Sequence, residues 1–255
     1  IKSAEFYLAP ELLGEFEIGL LGTAPGQTAR KRRERDQARI KFILEKLPET
    51  AESRVPLFVF AHIVAPHPPF VFNSDGTDIG DERYFFLDSA NHLIREGRIT
   101  RTQYMEKYLG QMQFIETAII NTIDAMIENS DVPPIIILQG DHGSGAFLHH
   151  ESIEGTYLND RLSILSSYYL PDGGAENLYE EITPVNSFRI IFNRCFAADM
   201  PLLEDRSYYA TATHPYRYAD VTEIMGAPED RARLERLQSM DYYPRDIEMD
   251  TAGGD

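Results

Sequence analysis

Two prolines, four aliphatic residues and then Gln139-Gly140-Asp141-His142-Gly143-Ser144-Gly145 make the stretch from Pro133 the most restrictive in the chain. The run Ile135-Ile136-Ile137-Leu138 reads as a short strand buried on both faces, the kind found inside a parallel sheet. It stops on a glycine. A carboxylate and an imidazole stand directly beyond, followed by glycines that let the backbone turn sharply and a ligand come close. In open α/β sheets ligands sit outside the carboxyl ends of the strands, which puts Asp141 and His142 where chemistry is expected. Carboxylate oxygen and imidazole nitrogen are natural donors to a divalent metal such as zinc or manganese. The competing account is plain turn chemistry, with the aspartate bonding backbone amides.

Val55 to Ile63, with Leu57-Phe58-Val59-Phe60-Ala61-His62-Ile63, reads as a second buried strand. His62 within it reads as a satisfied core histidine. The strand runs into Val64-Ala65-Pro66-His67-Pro68-Pro69-Phe70, where prolines fix the backbone around one imidazole, so His67 is the candidate functional residue there. Thr100 to Asn129 is the longest expected helix. Its Tyr104, Tyr108, Met112, Ile115, Ile119, Ile123 and Met126 recur at steps of three and four, giving one apolar face to lay against the sheet. Strand, crossover helix and strand in that order imply parallel strands ending at one edge. His67 and the Asp141/His142 pair would then face a single pocket. The expected class is α/β, a mostly parallel sheet flanked by helices.

After Gly145 come His149, His150 and Glu151, of which His149, nearer the glycine-rich turn, is the preferred contributor to the site. Leu162 to Leu170 is expected as a third strand, Phe188 to Phe196 as a short helix with Asn186 or Ser187 as N-cap, and Ser207 to Ala212 as a peripheral strand. His214 reads as a surface residue. The basic run within the expected helix Arg30 to Leu47 is interrupted by Glu34 and Asp36 and reads as a solvated face. Ile1 to Gly26 suggests one or two short helices, and Asn73 to Asn91 a surface excursion. From Glu223 the acidic residues, Pro228, Pro244 and Gly253-Gly254 suggest a partly disordered tail, dividing the chain into a domain over 1–222 and a tail over 223–255.

A net charge of −17 argues against nucleic acid as a partner. The single cysteine, Cys195, excludes an internal disulfide and any multi-cysteine zinc site. No run approaches the ~18 apolar residues of a spanning helix, so membrane contact would come only through parts outside these residues.

Taken together, Phe58 to His62 leading to Pro66-His67-Pro68-Pro69-Phe70, Tyr108 and Gln111 on the long helix, Ile135 to Gly143, and Asn186-Ser187-Phe188-Arg189-Ile190-Ile191-Phe192-Asn193 resemble the carboxyl-terminal half of a sulfatase-like protein of the alkaline phosphatase superfamily. The resemblance spans roughly Val55 to Val221. It is nearest to bacterial membrane-anchored sulfatase-like enzymes, which include lipoteichoic acid synthases and phosphoethanolamine transferases. It implies a partial alkaline phosphatase-like fold and a metal-dependent hydrolase or transferase acting on sulfate or phosphate esters, borne by a lipid or glycan. It further implies an extracytoplasmic location for a membrane-anchored protein. By the same resemblance Asp141 and His142 are metal ligands for Zn, Mn or Ca, His67 is the catalytic histidine that meets the transferred group, and His149 binds substrate.

One departure accompanies the resemblance. The family's Thr, Ser or formylglycine-forming Cys nucleophile on an early strand-helix turn, and its acidic first-strand ligand, have no counterpart here. Thr23 and Thr28 lack such a strand, and Cys195 falls in the expected helix over 188–196. The expectation is that these parts lie upstream of Ile1. A serine hydrolase built on Ser144, His142 and Asp141 lacks the separated triad and the Gly-x-Ser-x-Gly elbow. The remaining alternative is a non-catalytic sulfatase-like binding or assembly module.

Overall fold

The computed structural model describes residues 29–80, 93–94 and 96–240. The expectations for residues 1–26, for 81–91 of the expected surface excursion and for 241–255 of the expected tail fall outside them. Two long helices dominate, α1 (Ala29–Thr50) and α2 (Arg101–Glu128). The start of α2 is set by a capping box. The Thr100 hydroxyl accepts from the Gln103 amide at 3.1 Å, and the Gln103 side chain accepts from the Thr100 amide at 3.0 Å. The buried positions Arg101, Tyr104, Gln111, Ile115 and Thr122 keep helical spacing, but much of this face lies on α1 and not on a sheet. Ile115 of α2 meets Ile40 and Leu44 of α1 over Val71 and Phe72, and the Thr122 hydroxyl donates to the Leu44 carbonyl at 3.3 Å.

The remaining elements are short. In chain order they are β1 (Ile136–Gln139), α3 (Leu158–Leu162), β2 (Ser166–Tyr169), a 3₁₀ turn (Gly174–Asn177), α4 (Pro184–Phe196), β3 (Tyr208–Tyr209), β4 (Ala219–Asp220) and α5 (Pro228–Gln238). The expected mostly parallel sheet is not formed. The described residues hold two small antiparallel pairs, β1 with β2 in the register Ile136↔Tyr169 to Gln139↔Ser166, and β3 with β4. The reason lies at residues 57–63. That segment pairs with no strand among the described residues, and Leu57, Phe58 and Phe60 are 52%, 58% and 79% exposed. A strand is stabilised by its ladder and its cross-strand contacts. Apolar composition alone does not supply them. His62, expected in the core, is correspondingly exposed, and β1 is half-buried where burial on both faces was expected.

Two further expectations are corrected. The N-cap of α4 is Thr183 with Pro184 in the first turn, while Asn186 and Ser187 are buried inside the helix. The expected tail from residue 223 contains α5, whose Leu237 is buried with Leu93, Ile94, Tyr104, Ala146 and Phe147. Arg101 ties these parts together, donating to the carbonyls of Ala146 (3.0 Å), Leu237 and Met240.

Asp205 fastens the entry of α4. It accepts from the Thr183 hydroxyl at 2.6 Å, from the Thr183 amide at 2.7 Å and from the hydroxyl of Tyr179 at 2.5 Å. Partial burial opposes its charge, but these donors outweigh that and hold the carboxyl below its ordinary value of 3.8. A carboxyl depressed on folding adds stability that is complete above its unfolded value and is lost as pH falls through its folded value. Thermal melts of the wild type and of Asp205→Asn should therefore differ near neutrality and converge once the pH has fallen through the depressed folded value. A gap that persists in acid would contradict this role.

Candidate functional site

Asp141 follows β1 directly, and the loop it opens is pressed onto α3. The amide of Gly143 donates to the Arg161 carbonyl at 2.8 Å, and that of Gly140 donates to Leu165 at 2.9 Å. A side chain at position 143 would put its Cβ 1.8 Å from the Asp160 carbonyl oxygen, so only glycine allows this approach. The contact brings Asp160 and Arg161 to the loop. Arg161, which donates to the Gly143 carbonyl at 3.0 Å, is the charged neighbour of this loop that the sequence does not announce. No motif surrounds it, and its one signal is that the glycine at 143 implies a close neighbour.

His67 reaches the same place from the proline-rich segment, where the peptide bonds Ala65–Pro66 and Pro68–Pro69 are cis. The His67 and His142 ring centroids are 6.3 Å apart. His67 Nδ1 lies 2.5 Å from the Pro68 carbonyl. A carbonyl only accepts, so Nδ1 carries the proton and the neutral ring presents the lone pair of Nε2. Burial is the main cause that lowers the His67 pKa, and the charges of His142 and Arg161 push the same way, against the Pro68 bond and Asp141. At neutral pH His67 is thus held ready to accept a proton.

Asp141 is exposed. Its Oδ1 accepts from the His142 amide at 3.0 Å, and its Oδ2 stands 3.4 Å from His142 Nε2. Two ligands at roughly 2.0–2.2 Å from a tetrahedral cation stand about 3.3–3.6 Å from each other. The pair therefore fits two positions of such a shell. Among the described residues there is no group of three His, Cys, Asp or Glu placed to hold a metal. A cation here would be held by Asp141 and His142, would need further ligands beyond these, and would supply positive charge to an oxygen bound beside it.

The serine-hydrolase arrangement is not formed. Ser144 is buried, and its hydroxyl donates to Asp160 at 2.8 Å and accepts from the Ala146 amide at 3.0 Å. Burial raises the Asp160 pKa, against the Ser144 bond and the Arg161 charge. Tyr108, stacked on Tyr104 at 6.1 Å, feels both Asp160 and Arg161, and burial keeps its phenol protonated.

His149, expected to bind substrate, lies inside its own turn and not beside Asp141 in contact with the other candidates. The residue is buried, its Nδ1 accepts from the Glu151 amide at 3.2 Å, and its carbonyl accepts from the Tyr209 hydroxyl at 2.6 Å. Gly155 lies so close that a Cβ there would be 2.9 Å from the Cβ of His149. These contacts make His149 the clamp of its own turn. The structure thus brings together His67, Asp141 and His142 and adds Arg161. The chain was also compared with known proteins. No family model, no curated protein and no solved structure matches it.

Proposed function

We propose that this chain carries part of the active site of a metal-dependent hydrolase or transferase acting on sulfate or phosphate esters. The observation that carries the reading is the convergence of His67 with Asp141 and His142, whose facing Oδ2 and Nε2 atoms are 3.4 Å apart. In this reading Asp141 and His142 hold the divalent cation, Zn, Mn or Ca. His67 accepts or returns a proton at an ester oxygen, and a nucleophile outside these residues attacks. The sequence resemblance supports an extracytoplasmic, membrane-anchored setting with a lipid- or glycan-borne ester as substrate. No helix among the described residues is long and apolar enough to cross a membrane.

Calorimetric titration with Zn²⁺, Mn²⁺ or Ca²⁺ should show saturable binding that His142→Ala weakens at least tenfold. The complete gene product should cleave aryl sulfates or phosphate diesters, and a chelator should stop it. Identical cation binding by wild type and His142→Ala would refute the ligand assignment. Cation and ester binding without turnover would leave the non-catalytic module as the better description.

A further inference from the structure

α4 is apolar on two sides. Ile190 and Ile191 are buried with Asn186 and Ser187 on its inner face. On the opposite side Val185, Phe188, Phe192 and Phe196 recur at steps of three, four and four, so they form one stripe. A helix face turned to water is ordinarily polar. Here Phe188, Phe192 and Phe196 are 44%, 41% and 68% exposed. Their rings make a row, with centroids 5.8 Å apart from Phe188 to Phe192 and 5.9 Å from Phe192 to Phe196, and Phe58 extends it 6.4 Å from Phe188. The segment from Met200 to Leu203 runs beside the helix, bonded to Asn186, Arg189 and Asn193, and adds the exposed side chains of Leu202 and Leu203. With an aromatic ring presenting about 200 Å², these exposures leave roughly 650 Å² of apolar surface open to water. The largest patch on a typical monomer is about 300–600 Å². A stable dimer takes about 600–1,000 Å² from each partner.

We infer that two copies of this chain associate through this face, packing α4 antiparallel against α4 of the second copy across a two-fold axis at Phe192. Charge selects the face. With a net charge of −17, two copies repel each other over most of their surface. α4 holds no acidic residue, and residues 55–74 hold no charged residue at all. Symmetry selects a second copy as the occupant. The stripe is centred on Phe192, with Phe188 and Phe196 each four residues away, roughly 6 Å along the axis. Antiparallel packing sets Phe192 on its own counterpart and brings Phe196 of each copy to Phe188 of the other. Phe58 widens the row at that end, where the more exposed Phe196 ring of the other copy arrives. A contact of this kind is self-complementary and closed, so it stops at a dimer. It stands apart from the ester reading, since none of its residues belongs to the candidate site.

Sedimentation velocity of the whole chain over a range of concentrations tests the inference. The wild type should form a dimer. Phe192→Asp and Phe196→Asp each place a carboxylate in the contact twice per dimer and should raise the dissociation constant at least a hundredfold. Melting checks the fold of each variant. Phe196 is the more exposed of the two, so its variant carries the comparison where Phe192→Asp does not fold. A second measurement reads the packing itself. In a Cys195→Ser background, a short bis-maleimide should join Phe192→Cys to its own copy, and it should join a mixture of Phe188→Cys and Phe196→Cys better than either alone. A wild type that stays monomeric at every concentration overturns the inference, whether the face is then taken by a phospholipid vesicle or by another segment of the chain. A dimer that both aspartate variants leave intact overturns it as well. Cation binding through His142 tests the ester reading separately, so either can fail alone.

Discussion

Asp230→Ala is expected to destabilise the fold by about 3–5 kcal/mol, the cost of breaking a buried charge network from one side. Asp230 lies in the first turn of α5 and is fully buried, yet it caps a different helix. Its carboxylate accepts from the amides of Leu158 and Asn159, the first residues of α3, at 2.9 and 3.0 Å, and from Gly226 at 3.1 Å. Tyr157, the N-cap residue of α3, caps none of the helix's amides with its side chain. Alanine would leave three backbone donors unpaired and remove one of the two carboxylates that pair with Arg233, the one 3.6 Å away, leaving Glu154 at 2.8 Å. For a chain of this size the loss corresponds to roughly 6–20 °C in melting temperature. A shift within about 0.5 kcal/mol, the range of an ordinary surface substitution, would show that water replaces the carboxylate and that α3 needs no cap from α5.

The network explains what the sequence can and cannot convey. α2 is legible because helical periodicity is a local signal, and its described bounds lie within a residue of those expected. α5 is not, because an acidic, proline-containing stretch resembles a tail. Its role depends on an aspartate that meets amides some seventy residues earlier in the chain. Strand pairing is non-local in the same way. The apolar run 57–63 has strand composition, but nothing in it specifies a partner, and the parallel arrangement inferred from a crossover helix presupposes that both strands enter one sheet. They do not: β1 pairs with β2 across a short antiparallel register.

The candidate site shows a different division. Asp141, His142 and His67 stand out because an acid-imidazole pair between glycines and an imidazole among prolines are rare local patterns. His67 and His142 meet although the sheet geometry used to bring them together is not formed. What holds them is tertiary packing: Gly143 against Asp160, and a glutamine under the proline-rich segment. Arg161 is silent in the sequence because its contact with the His142 ring and the Gly143 carbonyl depends on α3 packing against a loop some twenty residues earlier, which only three-dimensional placement reveals.

That glutamine yields the second large effect. Gln111→Leu, close in size and more apolar, should nevertheless cost about 2–4 kcal/mol, because buried donors left without an acceptor incur their full desolvation penalty. Gln111 is fully buried on α2. Its Oε1 accepts from the amides of Val71 and Phe72 at 2.7 and 3.3 Å, and its Nε2 donates to the His67 carbonyl at 3.3 Å. Leucine would strand two amides next to the core residues Val71 and Phe72 and release the backbone that carries the catalytic candidate. Gln113→Leu, on the exposed side of the same helix, serves as the control and should stay within about 0.5 kcal/mol of wild type. Chemical denaturation of the two variants measures the contrast, and His67 ring resonances should broaden or shift only in the first. Equal stability of the two variants would mean that the proline-rich segment holds its shape without α2, and that the position of His67 is fixed by its own prolines.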